Sequence, residues 1–201
     1  MKNDVLAFTI IATVVNSVNI PVTLKMRKGW DEESLNAPFL AERAEELGIK
    51  MITIHGRTRC QMFKGKSDWR FVSKVKSVTN VPVLVNGDIK DFNDFTKSIN
   101  LSNADGVMIG RGSYGKPWVF EEIRKEMAGS KYSVSSKEKK EIILKHLDLN
   151  LDHYGIDIGL KNFRKHLGWY SKSIENSNEF RFKVNTCNES KDVKKMINDF
   201  F

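Results

Sequence analysis

Short apolar runs and amphipathic stretches alternate along the chain up to Trp118. Each run ends at or close to a glycine, which is typical of a buried strand. Between the runs, apolar residues recur every three or four positions, and this spacing predicts helices. The predicted strands are Pro21–Arg27, Lys50–Gly56, Val81–Gly87 and Gly106–Gly110, and the predicted helices are Asp4–Val18, Glu33–Leu47, Asp68–Val78 and Asp91–Asn100.

The pattern changes after Trp118, where strand candidates stop. VFEEIRKEMAG continues as a helix and SKYSVSSK has the composition of a linker. Further helices are predicted at Lys137–Tyr154, Leu160–Ser173 and Lys191–Phe201. We therefore expect two domains, residues 1–130 and residues 131–201, with the second entirely helical.

Alternation of strand and helix predicts an α/β fold with a parallel sheet, either a doubly wound sheet or a β/α barrel. A closed barrel needs about eight strands and ~250 residues. The four predicted strands would form half of a TIM (β/α)8 barrel, with uncovered sheet edges. We expect such a chain to belong to a longer protein, to use a partner chain, or to self-associate.

Composition and charge narrow the kinds of partner and the cellular compartment that we expect. The formal net charge is +8, which favours a nucleic-acid or nucleotide partner without proving one. Cys60 and Cys187 form no CxxC motif, so we expect two free thiols in a reducing cytoplasm. No apolar run is long enough to span a membrane. The N-terminus carries early charged and polar residues, which favours an amphipathic helix over a signal peptide.

A polar cluster follows or ends each predicted strand. Because the carboxyl ends of parallel strands share one edge, the clusters should converge on one patch. The ends at Gly87 and at Gly110–Gly112 are of the phosphate-binding type, where backbone N–H groups can face the ligand, and Arg111 adds a charge. A mononucleotide phosphate fits them, with Lys25 and His55 beside its sugar or ring. The clusters are Lys25-Met26-Arg27, His55-Gly56-Arg57-Thr58-Arg59, Asn86-Gly87-Asp88 and Gly110-Arg111-Gly112.

Each cluster also has a simpler interpretation. A lysine at a strand end is usually solvated, a histidine is often a hydrogen-bonded core residue, and NGD is most often a turn. Cys60 lies beside two arginines, but no activating base is visible, so a catalytic role is disfavoured. The four histidines and two cysteines lack metal-ligand spacing. Only the joint placement of the four clusters favours a site.

The helical tail combines basic and aromatic residues. KNFRKHLGWYSK, at Lys161–Lys172, includes Arg164 and Lys165, and FRFK follows at Phe180–Lys183. One interpretation is an amphipathic helix in a small bundle with its charges outward. The other is a face that neutralises RNA or DNA phosphates and stacks bases. The two interpretations are compatible, because one side can pack while the other binds.

Several ordered motifs together resemble the bacterial tRNA-dihydrouridine synthases. They are PVTLKMRKGWD, ITIHGRTRCQMFKGKSDW, VPVLVNGDI, DGVMIGRGSYGKPWVF and FRKHLGWYSK. The resemblance implies an FMN-binding β/α barrel followed by a helical tRNA-binding domain. It implies reduction of the C5–C6 bond of uridines in tRNA, with NADPH as the electron source.

Carried over residue by residue, the resemblance implies two sets of contacts. Lys25, His55, Asn86, Gly87, Asp88, Gly110 and Arg111 would bind FMN, the last two at its phosphate. Arg57, Arg59, Arg164 and Lys165 would contact tRNA.

Part of the family's pattern is not found in this chain. The family's first strands and its proton-donating cysteine have no counterpart here, so the chain looks like the C-terminal portion, truncated before the fifth barrel strand. We expect weak FMN affinity and little activity from such a chain alone. Alternatives are a non-catalytic RNA-binding remnant, one chain of a split enzyme, and a barrel enzyme acting on a sugar phosphate.

Overall fold

The computed structural model describes all residues from Met1 to Phe201. The chain forms two compact units, Met1–Gly112 and Ser113–Phe201. This division lies earlier than the predicted boundary near residue 130. Tyr114 stacks on Trp169 and Trp118 stacks on Tyr170, with ring centroids 4.3 and 6.4 Å apart, so the segment before α5 belongs to the helical unit.

The first unit alternates helices and strands as the sequence predicts. Its elements are α1 (Asp4–Asn16), β1 (Thr23–Arg27), α2 (Ala37–Glu46), β2 (Met51–His55), α3 (Trp69–Lys76), β3 (Val83–Asn86), α4 (Phe92–Ser102) and β4 (Gly106–Met108). The strands form one sheet in the order β1-β2-β3-β4, and every pair is parallel. The predicted four-stranded parallel α/β unit is confirmed, while half of a barrel stays a prediction.

Side-chain alternation gives the sheet two different faces. Ile52, Ile54, Val83 and Val85 are fully buried and form the core with apolar residues of the helices. The opposite face carries polar residues, because Arg27, His55, Asn86 and Met108 stand side by side in one row across the strands. The fold therefore collects polar groups at the last residues of the first three strands.

Polar caps set the helix starts in this unit. Asp68 accepts a hydrogen bond from the N–H of Phe71 at the start of α3, and Asp91 accepts one from Asp94 at the start of α4. Such caps satisfy N–H groups that have no partner within the helix. α3 then buries Phe71, Val72 and Val75 against the sheet, as their spacing predicts.

The second unit consists of helices α5 (Val119–Met127), α6 (Ser136–Tyr154), α7 (Ile156–Tyr170), α8 (Ser177–Thr186) and α9 (Ser190–Phe200). The predicted linker, residues 130–137, lies within this unit: most of it connects α5 to α6, and its last two residues begin α6. Ser135 and Glu138 form a capping box that starts α6. α8 was not predicted: its FRFK segment looks like a charged stretch, yet Phe180 and Val184 are buried one turn apart.

None of the helices is both long enough and apolar enough to cross a membrane.

The helical unit should depend on its central phenylalanine. Phe163 is 0% exposed within the core of this unit, whereas Phe182 on α8 is 71% exposed. We expect Phe163→Ala to lower the free energy of unfolding by about 3–5 kcal/mol. Phe182→Ala removes the same ring from a solvated position and should cost under about 0.5 kcal/mol. Urea unfolding followed by circular dichroism measures both; equal losses would contradict this description of the core.

Candidate functional site

The loop after β2 is organised by the side chain of Arg57. Its guanidinium is 3% exposed and forms an ion pair with Asp88, with Nη2 to Oδ2 at 2.7 Å. The same side chain donates to the carbonyl oxygens of Lys64 and Gly65 at 3.1 and 2.6 Å. Arg57 thereby joins the loop to the turn after β3. The prediction that Arg57 contacts tRNA stays untested, but this burial favours a structural role.

The carboxylate of Asp88 belongs to the same hydrogen-bond network as Arg57. Its carboxylate also accepts a hydrogen bond from the backbone N–H of Ser67 at 2.8 Å. Burial alone would raise the pKa of Asp88, but the Ser67 N–H and the Arg57 guanidinium together hold it below its ordinary value. Asp88 is therefore an ionised anchor at neutral pH, and its contact with FMN stays a prediction.

Asn86 and Gly87 shape the end of β3. The Asn86 side-chain amide donates to the carbonyl of Met108 at 2.7 Å and so ties β3 to β4. Gly87 has a φ of +114°, and a Cβ there would lie 2.4 Å from Ser67 Oγ and 2.8 Å from Cδ2 of His55. Glycine is required because the backbone passes so close to the histidine ring.

His55 is the neutral centre of a cationic surface. It is 7% exposed, and its Nε2 lies 3.4 Å from Nη1 of Arg57. Burial first, and then the charges of Arg27, Lys25 and Arg57, lower the pKa of His55 to about 4, against an opposing effect of Asp88. The imidazole is therefore uncharged at neutral pH, and one of its nitrogens can accept a hydrogen bond.

Arg27 belongs to the site, although it was not among the predicted ligand contacts. It ends β1 directly opposite His55, and its Nη1 donates to the carbonyl oxygens of Thr58 and Met62 at 2.7 and 2.8 Å. Burial, followed by the charges of Arg59, Arg57 and Arg111, lowers the pKa of Arg27. This mutual repulsion means that a bound anion would stabilise the cluster.

Lys25 lies in β1, level with Thr53 and two residues before the strand ends at Arg27. It is exposed on the face that carries Arg27, and burial followed by the charge of Arg27 lowers its pKa. Its two-residue spacing from Arg27 in a strand accounts for the shared face. Lys25 forms no salt bridge, so its ammonium group is available to a ligand.

Gly110 and Arg111 follow β4 as predicted. Nothing lies within 4 Å of the position that a Cβ would take at Gly110, so there is room for a ligand beside the backbone. The guanidinium of the exposed Arg111 lies 4.3 Å from the ring centroid of Phe63, and that of Arg27 lies 5.6 Å from the same ring. Phe63, an aromatic residue in an otherwise polar loop, was missed by the sequence interpretation.

The remaining predicted contacts are dispersed. Arg59 is exposed beside the cluster, and the neighbouring Cys60 is exposed and free. Arg164, in α7, donates to the carbonyl of Cys187 and to the side chain of Asn188 at 3.1 and 3.0 Å, while Lys165 is exposed. No group of three or more His, Cys, Asp or Glu side chains is arranged to hold a metal ion.

The geometry defines a class of protein: a parallel α/β unit with a cationic surface at its strand ends. The sequence matches the family model described as Dihydrouridine synthase (Dus) over residues 1–201. The chain therefore belongs to the dihydrouridine synthase family.

Relatives with curated names agree with this assignment. The chain is 44% identical over 203 residues to a probable tRNA-dihydrouridine synthase of Rickettsia conorii, in a match that covers 100% of this chain and 61% of the relative. It is 34% identical over 203 residues to tRNA-dihydrouridine synthase B of Pseudomonas syringae pv. tomato, covering 100% of this chain and 60% of the relative. The chain thus spans about three fifths of the length of these relatives.

One expectation needs correction. The sequence interpretation limited the resemblance to the C-terminal portion of the family, whereas the family match takes in the whole chain. The interpretation rested on the count of four strands and on family strands and a cysteine without a counterpart here, whereas the family model matches residues 1–201. A separate chain that completes the sheet has no support from these comparisons.

The close approach at Gly87 can be tested by adding one methyl group. Gly65 also has a positive φ, +65°, but a Cβ there meets nothing within 4 Å. Gly65→Ala should therefore cost only the backbone strain, about 1–2 kcal/mol. Gly87→Ala adds a clash with His55 and Ser67, and we expect a larger loss in urea unfolding. Equal losses would show that the histidine ring is not held against Gly87.

The protonation of His55 can be followed directly. We expect its ring signals in NMR to titrate near pH 4, because burial and neighbouring cations oppose the charged form. A folded-state pKa below the unfolded value means that the neutral histidine stabilises the fold above pH about 6.5. This contribution should be lost as the pH falls from there towards 4. Titration of His55 near pH 6.5 in the folded protein would contradict the description of the cluster.

Proposed function

We propose that this chain acts in the synthesis of dihydrouridine in tRNA, with FMN bound at the strand-end surface and NADPH as the reductant. The observation that carries the proposal is the crowding of Arg27, Arg57, Arg59 and Arg111 at the strand ends: burial first, and then the charges of the other three, lower the pKa of Arg27. Family membership and the names of the relatives support the reaction. We further propose that the protein works in the cytoplasm.

The donor set fits the phosphate of a flavin mononucleotide. Lys25 and Arg111 have no carboxylate partner, and the space at Gly110 lets a phosphate approach the backbone. A dianionic phosphate would offset the repulsion between these cations. We therefore assign Arg111 and Gly110 to the phosphate, and Lys25 and His55 to the ring and ribityl chain.

The other predicted contacts take a supporting role in this proposal. Asn86, Gly87 and Asp88 hold the β3 turn beside His55, so that the surface is preorganised before a ligand arrives. The bound flavin supplies hydride chemistry. His55, neutral and able to accept or donate one hydrogen bond, fixes orientation without adding charge to the ring.

Recognition of tRNA is assigned to exposed cations in both units. Arg59 beside the cluster and Lys165 on α7 are exposed and can reach RNA phosphates. Arg164 is partly committed to Cys187 and Asn188, so we assign it a smaller share of binding. Neutralising phosphates makes such binding fall steeply with salt concentration.

A second candidate function is RNA binding without flavin chemistry, and it is favoured by the basic residues of α7. A single assay of tRNA binding, bound flavin and dihydrouridine formation distinguishes the two functions. Salt-sensitive tRNA binding with neither bound flavin nor NADPH-dependent dihydrouridine formation would favour the binding function. Stoichiometric flavin together with dihydrouridine formation in tRNA would favour the synthase.

The phosphate assignment predicts a specific loss of flavin affinity. Removing a charged donor to phosphate costs about 1.5–3 kcal/mol, so Arg111→Ala should weaken FMN binding by about 10- to 100-fold. Lys50, exposed directly before β2 and thus at the opposite end of the sheet, provides the control. Lys50→Ala should leave the affinity unchanged. Flavin fluorescence titration measures both, and equal affinities for the two variants would refute the site.

A further inference from the structure

The helical unit contains a cavity that the flavin site does not account for. Its volume is about 420 Å³, within the range of about 300–1,000 Å³ found for small-molecule sites. All of its lining residues lie between Gly115 and Phe201, so it is built entirely from one unit. Aromatic rings and lysines line it together.

The aromatic walls are held in place by packing. Trp118 is near-parallel to Tyr170, and Trp169 is stacked on Tyr114. Gly115, with a φ of +69°, brings the loop so close to α7 that a Cβ would lie 2.4 Å from the carbonyl oxygen of Trp169. Trp118 and Trp169 are both only half-buried, so part of each indole faces the cavity.

The charged lining is mainly positive. Lys116 is paired with Glu122, with Nζ to Oε2 at 2.6 Å. Lys139 and Lys172 line the same cavity and form no salt bridge. Lys139 Nζ lies over the ring of Trp118, 5.7 Å from its centroid, in a cation–π contact that leaves the ammonium group without a carboxylate partner.

We infer that this cavity binds a nucleotide, with its base against the indoles of Trp118 and Trp169 and its phosphate between Lys139 and Lys172. Flat partly exposed rings suit base stacking, and unpaired lysines suit phosphate. An acidic peptide would use the lysines but leave the rings without a function. The nucleotide can be free or an unstacked residue of an RNA strand; the RNA source rests on the proposed function, whereas the nucleotide chemistry does not.

The four tryptophans make the test site-specific. Trp118 and Trp169 report on the cavity, while Trp30 and Trp69 belong to the first unit, where Trp69 Nε1 donates to the carbonyl of Gly87 at 2.8 Å. Indole N–H signals of the full ¹⁵N-labelled chain, assigned by Trp→Phe substitutions, would be followed during titration. The probes are adenosine 5′-monophosphate, adenosine, inorganic phosphate, a single-stranded RNA hexamer and a polyglutamate peptide.

We expect adenosine 5′-monophosphate to shift the Trp118 and Trp169 signals saturably, and to do so equally in Arg111→Ala, in which the proposed strand-end phosphate site is weakened. Adenosine, which lacks the phosphate, should bind more weakly. The double variant Lys139→Ala/Lys172→Ala should lose about tenfold in affinity. Lys137→Ala/Lys145→Ala removes two exposed lysines of α6 that do not line the cavity and should lose none. Tighter binding of the RNA hexamer than of the mononucleotide identifies RNA as the source; the reverse identifies a free nucleotide.

Other results would overturn the inference. Unchanged Trp118 and Trp169 signals, or equal losses in the two double variants, would exclude a nucleotide site in the cavity. Inorganic phosphate that binds as tightly as the nucleotide would indicate an anion site only, and displacement by polyglutamate would indicate an acidic protein partner. The proposed function is tested by a different result: if FMN leaves the Trp69 signal unchanged, FMN does not bind at the strand-end surface.

Discussion

The candidate site depends on one partly buried ion pair, between the buried Arg57 and the half-buried Asp88. The guanidinium of Arg57 is almost inaccessible to water, and it donates hydrogen bonds to the Asp88 carboxylate and to two carbonyl oxygens of its own loop. A buried charge without such partners would be strongly destabilising. Because the pair joins the loop after β2 to the turn after β3, it fixes the surroundings of His55. Loss of either partner would release both segments together.

The ion pair also divides the cations into two groups. Arg57 and Arg27 are committed to the loop, through Asp88 and through carbonyls of Thr58 and Met62. Lys25 and Arg111 lack carboxylate partners and are left for a ligand. The neutral His55 at the centre adds polarity without more charge. This separation of structural from available charge supports the proposal that the surface binds a phosphate.

Hydrophobic periodicity was sufficient for the architecture of the first unit. Apolar runs ending at glycines located all four strands, and parallel pairing then required the last strand residues to lie together. The roles of individual side chains could not be predicted in the same way. From their spacing alone, Arg57 and Arg59 are equally good candidates for a ligand contact, yet Arg57 is buried and Arg59 is exposed. Which arginine turns inward depends on the position of Asp88, which is distant in sequence.

The same limit applied to Arg27, Phe63 and α8. Arg27 is joined to Phe63 only through the fold of the intervening loop. α8 has a weak apolar pattern and is stabilised by contacts with its neighbours, including the stacking of Phe180 on Phe200 of α9.

The most direct test of the phosphate assignment compares the binding of FMN with that of riboflavin, which lacks the phosphate, in the unmodified chain and in Arg111→Ala. If the strand-end cations hold the phosphate, FMN binds more tightly than riboflavin to the unmodified chain, and the difference largely disappears in the variant. An equal preference for FMN in both proteins would contradict the assignment of the strand-end cations to a phosphate.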